Sequence, residues 1–388
     1  MRPMLFRWLP LLVLAGCTSI DNPPGPVLPG DMATPSGQAR TIPWSELPEA
    51  ELRQRIARLI PANVKDRAGW AGDLHTAYTH LNIPAAAQTY CASIAVIEQE
   101  STFQADPVVP GLPDIVWRGL EERVGKFGMP KFVLRAALQK TSPDGKTYAD
   151  RINALKTEKQ LNALYEDMIA ELPFGQRWLK DYNPVHTAGP MQVSIAFAEE
   201  HAREKPYPYP LGKNIRDEVF TRRGGVYFGA AILLDYPAPY DDVLYRFADF
   251  NAGRYSSRNA AFQAALNRLT RQTLSLDGDL LRYEKGRASA TPSSVEAALG
   301  DLAARLQMNR AEIRRDLLLE KSAGFGDSPL FNRLFRLAEV SAGRLLPRQQ
   351  MPQIDLKSPK ISRQLTTEWF ARRVEGRYRT CLGRAETN

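Results

Sequence analysis

One stretch of the chain joins an apolar run to a cluster of acid, amide and hydroxyl side chains: Ile94-Ala-Val-Ile-Glu-Gln-Glu-Ser-Thr-Phe-Gln-Ala-Asp-Pro107. Glu100 is the member best suited to proton transfer. On a helix it has Val96 and Ile97 at i−4 and i−3 and Phe103 at i+3, so its carboxyl lies against apolar neighbours. Desolvation of that kind favours the protonated form, which is what a general acid must retain near neutral pH. At 100° per residue Glu98 falls about 200° around the helix from Glu100, and Cys91 about 20° from Glu98. Glu98 and Cys91 therefore share a back face. Taken alone, Glu100 is equally well read as a solvated charge at a helix end.

The remaining chemistry-bearing side chains point nowhere as specific. His75 and His80 are five apart, His186 and His201 are distant, and no metal-ligand spacing emerges, so neither a metal nor a cofactor is expected. Ser101 has no Gly-x-Ser-x-Gly setting, which argues against a serine hydrolase. Arg222-Arg223 reads as a solvated helix start, and Trp70, Tyr90 and Trp369 read as core aromatics.

Four short motifs, in order, place Glu100 in a wider pattern. Gln99-Glu100-Ser101-Thr102-Phe103 is followed by Ala188-Gly189-Pro190-Met191-Gln192, and then by Asn214-Ile215 with Gly224-Gly-Val-Tyr227-Phe228 and Ile232-Leu-Leu-Asp-Tyr236. Phe250-Asn251-Ala252-Gly253 completes the set. Together they resemble the soluble lytic transglycosylases, whose fold is that of goose-type lysozyme. The family writes these motifs as Gln-Glu-Ser-x-Phe, Gly-Leu-Met-Gln, Asn-Ile then Gly-x-x-Tyr-Leu-x-x-Leu-Leu, and Tyr-Asn-Ala-Gly. The likeness covers residues 86–107 and 183–256.

The resemblance implies cleavage of the β-1,4 bond between N-acetylmuramic acid and N-acetylglucosamine in peptidoglycan strands. Glu100 would protonate the leaving oxygen and then accept the proton of the muramic acid C6 hydroxyl as that oxygen attacks the anomeric carbon. A 1,6-anhydro sugar results, with no need for the second carboxylate of most glycosidases. By the same resemblance Ser101 orients Glu100, Met191 packs on a sugar face, and Gln192, Phe250 and Asn251 line the substrate cleft.

Three departures leave other outcomes open. Phe250 stands where the family has Tyr, with Asp249 beside it; 89 residues separate Glu100 from Gly189, far more than usual; and the last hundred residues have no counterpart. Two alternatives follow. One is a hydrolytic muramidase in which Asp249 or another acid activates water. The other is a catalytically silent peptidoglycan-binding envelope lipoprotein.

The elements that would position these residues read as all-α. Pro48 opens a segment with Leu52, Ile56, Leu59 and Ile60 at helical spacing, closed by Pro61. Pro84 opens the helix that carries Glu100, read from Ala85 to Phe103. Val226–Tyr236 and Arg258–Leu269 continue the pattern, Ser293-Ser-Val-Glu296 has capping-box spacing before a helix over 297–306, and the last helix spans about 367–382. That last helix sets Phe370, Val374, Tyr378 and Cys381 on one face against Arg372, Glu375 and Arg379 on the other. The expected architecture is a lysozyme-like helical domain over 45–290, with a helical insertion at 108–182 and a C-terminal helical extension over 291–388.

The N-terminus reads as an export signal. Arg2 and Arg7 precede Trp8-Leu-Pro-Leu-Leu-Val-Leu14, about ten residues where a membrane-spanning helix needs roughly twenty. Leu14-Ala-Gly-Cys17 resembles the bacterial lipobox, which implies cleavage after residue 16 and acylation of Cys17. Thr18 in the next position favours the periplasmic face of the outer membrane over the inner membrane. Residues 17–44, rich in Pro and Gly, read as a tether. Cys17 thus taken, Cys91 and Cys381 are left in an oxidising compartment, and a disulfide closing 290 residues is the natural pairing. The net charge of +8 suits an anionic partner. Behind a lipobox that partner is the cell wall or a membrane, not nucleic acid.

Overall fold

The computed structural model describes residues 42–386 apart from 175, 176, 178, 271, 285 and 357–363. Cys17, the export signal and most of the tether lie outside the described residues, as does Trp178.

Helices account for most of this chain. The first three are α1 (Glu49–Leu59), α2 (Arg67–Leu81) and α3 (Ala87–Glu100). Pro48 sits at the N-cap of α1, where a missing N–H costs nothing, and the helix ends at Ile60 just before Pro61. Between α3 and the next motif lie α4 (Leu112–Gly125), α5 (Lys131–Ala137), α6 (Tyr148–Asn153) and α7 (Glu158–Ala170), so the segment expected as a helical insertion is helical. A two-stranded hairpin follows, β1 (Thr187–Ala188) with β2 (Val193–Ser194), and leads into α8 (Ile195–Glu204) and α9 (Ile215–Val219). Then come α10 (Arg222–Leu234), α11 (Val243–Ala252) and α12 (Ser256–Asn267).

Past a second small hairpin, β3 (Tyr283–Glu284) with β4 (Arg287–Ala288), run α13 (Ser294–Asp301), α14 (Ala303–Leu306), α15 (Arg310–Leu317) and α16 (Pro329–Ala342). The helix read over 297–306 is thus two pieces. Ser293 caps the first as expected, its hydroxyl accepting from Glu296 N at 3.0 Å, and the chain breaks at Leu302. β5 (Asp355–Leu356) pairs with β6 (Leu365–Thr366), and α17 (Thr367–Glu386) ends the described chain.

Two apolar cores organise these elements. The first gathers α1–α3, the inner faces of the insertion, the β1–β2 hairpin, α8, α10 and α11. The second, built from α12 to α16, is centred on Phe262, Phe325, Phe331 and Phe335. Arg258 on α12, only 2% exposed, ties in the loop after α15 by donating to the carbonyls of Glu320 (2.6 Å) and Ser322 (2.8 Å). The last helix does not belong with residues 291–346. Phe370, Ala371, Val374 and Cys381 of α17 are buried in the first core, between α3 and α11. A segment read as one C-terminal extension is therefore a second core followed by a helix that returns to the first. Among the described residues no helix is long and apolar enough to cross a membrane.

Candidate functional site

The site is assembled on α10, which is buried along most of its length and packs against α3, β2 and α11. Its Gly229 lets the hairpin come close: a Cβ there would lie 2.2 Å from Met191 Sδ. At the hairpin turn Gly189 has φ +74°, and a Cβ would meet the Val219 carbonyl oxygen at 2.1 Å, so this turn needs glycine twice over. Arg254 ties the turn after α11 to the same helix, donating to the carbonyls of Ala231 (2.6 Å) and Ile232 (3.1 Å) in its last turn.

Glu100 is the last residue of α3 and is half-buried. Ser101 is the C-cap; its Oγ donates 3.0 Å to the Ile97 carbonyl, which fixes the end of the helix behind the glutamate. Thr102 and Phe103 follow with φ of +51° and +60°, and Phe103 is held edge-on against Trp70 at 5.2 Å. Left-handed backbone in non-glycine residues costs on the order of 1 kcal/mol each. Of the eight such residues described, Thr102, Phe103, Gln192 and Tyr255 adjoin the sequence motifs.

The back of α3 is closed by α17. Cys91 and Cys381 form a disulfide across 290 residues, and Arg377 donates to Gln99 Oε1 at 3.1 Å and lies 3.5 Å from Glu98 Oε1. Glu98 faces this helix, on the side expected from its phase. Nearer its N-terminus, α17 meets the fourth motif: Phe370 stacks on Phe250 at 6.5 Å, and Thr367 Oγ1 donates to Asn251 Oδ1 at 2.8 Å. One helix thus backs both Glu100 and the Phe250–Asn251 pair.

Two expectations need correction, those for Met191 and Asp249, while Gln192 is half-exposed with internal partners. Met191 has no surface to offer a sugar, since it is fully buried against Gly229 in the space that glycine leaves. Gln192 does border open space, but its side chain is already tied down, accepting from Thr187 Oγ1 (3.1 Å) and donating to Glu158 Oε2 (3.3 Å) at the start of α7. Asp249 is fully buried and accepts from Tyr240 (2.7 Å) and Tyr236 (3.2 Å) hydroxyls and from the backbone N–H of Tyr255 (2.8 Å) and Ser257 (2.7 Å). Burial pushes its carboxyl up against the pull of those bonds. Sealed from water, Asp249 holds the α11–α12 turn and cannot activate a water molecule as this structure stands.

Thr367, Arg377 and Glu158 are the partners the sequence did not disclose, because each comes from a segment remote from the motif it touches. The insertion is fastened by Thr157 Oγ1 donating to Asp106 (2.9 Å) and by Asn183 Nδ2 donating to Asn162 (2.8 Å). Among the described residues no group of three or more His, Cys, Asp or Glu side chains could hold a metal ion.

Residues 63–384 match the family described as "Protein of unknown function (DUF1615)". The chain belongs to that family. The match takes in α3, the hairpin, α10, α11, the second core and nearly all of α17, so the DUF1615 unit includes the helix behind Glu100. The chain is also similar to "Uncharacterized protein YaiW" of Escherichia coli (strain K12), with 44% identity over 374 residues and 96% of each chain covered. No solved structure matches it significantly.

Proposed function

We propose that this DUF1615 protein is a lipid-anchored lytic transglycosylase with a lysozyme-like catalytic region, acting on peptidoglycan at the periplasmic face of the outer membrane. The observation that supports the reading is that α3, β2 and α11, the elements that carry or adjoin the Glu100, Gly189–Gln192 and Phe250–Asn251 motifs, all pack on α10, with a glutamate at the tip of a capped helix. Glu100 is the acid that protonates the glycosidic oxygen and then takes the proton of the C6 hydroxyl as it closes the 1,6-anhydro ring. A single carboxylate suffices for that chemistry, and the burial of Asp249 removes the specific base of the hydrolytic alternative. The disulfide agrees with an oxidising compartment.

A silent peptidoglycan-binding lipoprotein is the second reading. It is favoured by the burial of Met191 and by the internal partners of Gln192 and Asn251. Purified protein incubated with sacculi separates the readings by mass spectrometry of the released muropeptides. Anhydro ends support the transglycosylase, reducing muramic acid ends the muramidase, and sacculus binding with no product the silent form. The anchor has its own test: Cys17→Ser is expected to leave an uncleaved precursor or a soluble protein, and unchanged membrane partition at unchanged mass would refute acylation.

A further inference from the structure

The turn between α4 and α5 is unlike the rest of the surface. Every residue from Gly125 to Val133 is exposed, and four of them are large and apolar: Phe127 is 87% exposed, Phe132 72%, Met129 44% and Val133 38%. These are not the inner faces of the two helices, since Val116, Trp117, Leu120 and Leu134 already pack toward the first core. Nor is the turn without form. Phe127 N and Met129 N both donate to the Val124 carbonyl, Gly128 turns the chain at φ +71°, and Pro130 caps α5. The apolar side chains are held outward at a defined tip, and Gly119, Gly125 and Gly128 have nothing near them to cover it.

The charges around that tip are predominantly basic. From Arg118 to Lys140 the chain carries six basic and two acidic residues. Of the two acids, Glu121 is occupied by Lys131 and Arg135, each at 2.8 Å, and Glu122 alone stands against exposed Arg123 and Lys126. Exposed aromatic and thioether side chains ringed by long cationic ones match a bilayer interface, where the rings enter the acyl boundary and the cations meet anionic headgroups. A protein groove would instead need a continuous complementary wall around an isolated protrusion.

We propose that the α4–α5 tip is a membrane-docking element that inserts Phe127, Met129 and Phe132 into an anionic phospholipid surface. It acts independently of the chemistry at Glu100, and it sets the insertion against a membrane whether or not the N-terminus is acylated.

The test uses residues 18–388, which retain both cores and lack the acylated cysteine, sedimented with vesicles of phosphatidylglycerol and phosphatidylethanolamine or of phosphatidylcholine alone. Binding to the anionic vesicles is expected, falling with salt, and at least tenfold weaker in Phe127→Ser/Phe132→Ser at unchanged melting temperature. Arg123→Glu/Lys126→Glu, which keeps the apolar tip, is expected to lose the preference for anionic vesicles. Absence of binding, or equal binding by the double serine variant, overturns the proposal. So does a concentration-dependent dimer that the serine variant abolishes while vesicle binding is absent, because the tip would then be covered by a second copy.

Discussion

Thr367, the first residue of the last helix, donates a 2.8 Å hydrogen bond to Asn251, the penultimate residue of α11, across 116 positions of sequence. With its oxygen held by Thr367, the Asn251 amide has one orientation. Thr367→Val keeps the side-chain shape and removes the donor, and such a loss costs about 1 kcal/mol of stability. If Asn251 meets glycan, the variant is expected to lose several-fold in activity on sacculi beyond that small drop in melting temperature, and Thr367→Ser to recover it. Full activity in Thr367→Val would leave the bond a purely structural one.

Glu100→Gln retains shape and removes the exchangeable proton. General acid–base assistance is typically worth 10²–10⁴ in rate, so release of anhydro-muropeptides should fall by about that factor in a protein of normal melting temperature. Glu98→Gln, whose side chain meets Arg377 on the α17 side of α3, should fall much less. Equal losses in the two variants would move the catalytic assignment away from Glu100.

Reduction of the Cys91–Cys381 bridge frees a loop of 290 residues. Chain-entropy reasoning puts closures of this length on the order of 5–6 kcal/mol. Cys381→Ser is therefore expected to lower the melting temperature markedly, and non-reducing peptide mapping of the wild type to yield one linked pair. Two alkylatable thiols in the unfolded, unreduced protein would contradict the bridge.

His201 gives stability a dependence on acid. It is 5% exposed, among Phe197, Tyr227 and Phe228, and burial depresses its pKa below the ordinary 6.5 even though Asp235 lies 3.4 Å from Nε2. The unfolded chain therefore binds a proton more readily, so His201's contribution is fully present above pH 6.5 and is lost as pH falls through the depressed value. Melting temperature should drop from pH 7 toward about 5, before most carboxylates titrate. His201→Gln should flatten that slope in part, with His75, also depressed by burial, keeping the remainder. An unchanged slope would show that His201 is already charged in the folded protein.

Much of this arrangement is legible in the sequence where local physics decides it. Proline at 48 and 61, the Ser293 cap, and the phase that turns Cys91 and Glu98 toward α17 reach the structure as read, whereas the helix expected from Ala85 to Phe103 runs only from Ala87 to Glu100, so Phe103 is not on the helix with Glu100. What is not legible is which faces meet. Asp249 next to Phe250 invites a catalytic reading, but its four donors come from positions 236 to 257 and only a tight α11–α12 turn brings them together. Met191 reads as a sugar contact until Gly229 is seen to open a slot for it in α10. The amphipathic pattern of α17 announces a buried face, and nothing in its residues says that the face lies on α3 and not on the neighbouring second core.

The position of α17 also dictates when the molecule can be finished. It is made long after α3, yet it supplies the wall behind α3 and α11 and carries half of the covalent clasp. Contacts at such separation are slow to form, because the intervening chain must be ordered first. The wall behind Glu100 is therefore completed only after α17 has been made and Cys381 oxidised. A chain that lacked α17 would present α3 with its rear apolar face bare, so completion of the first core waits on that one helix.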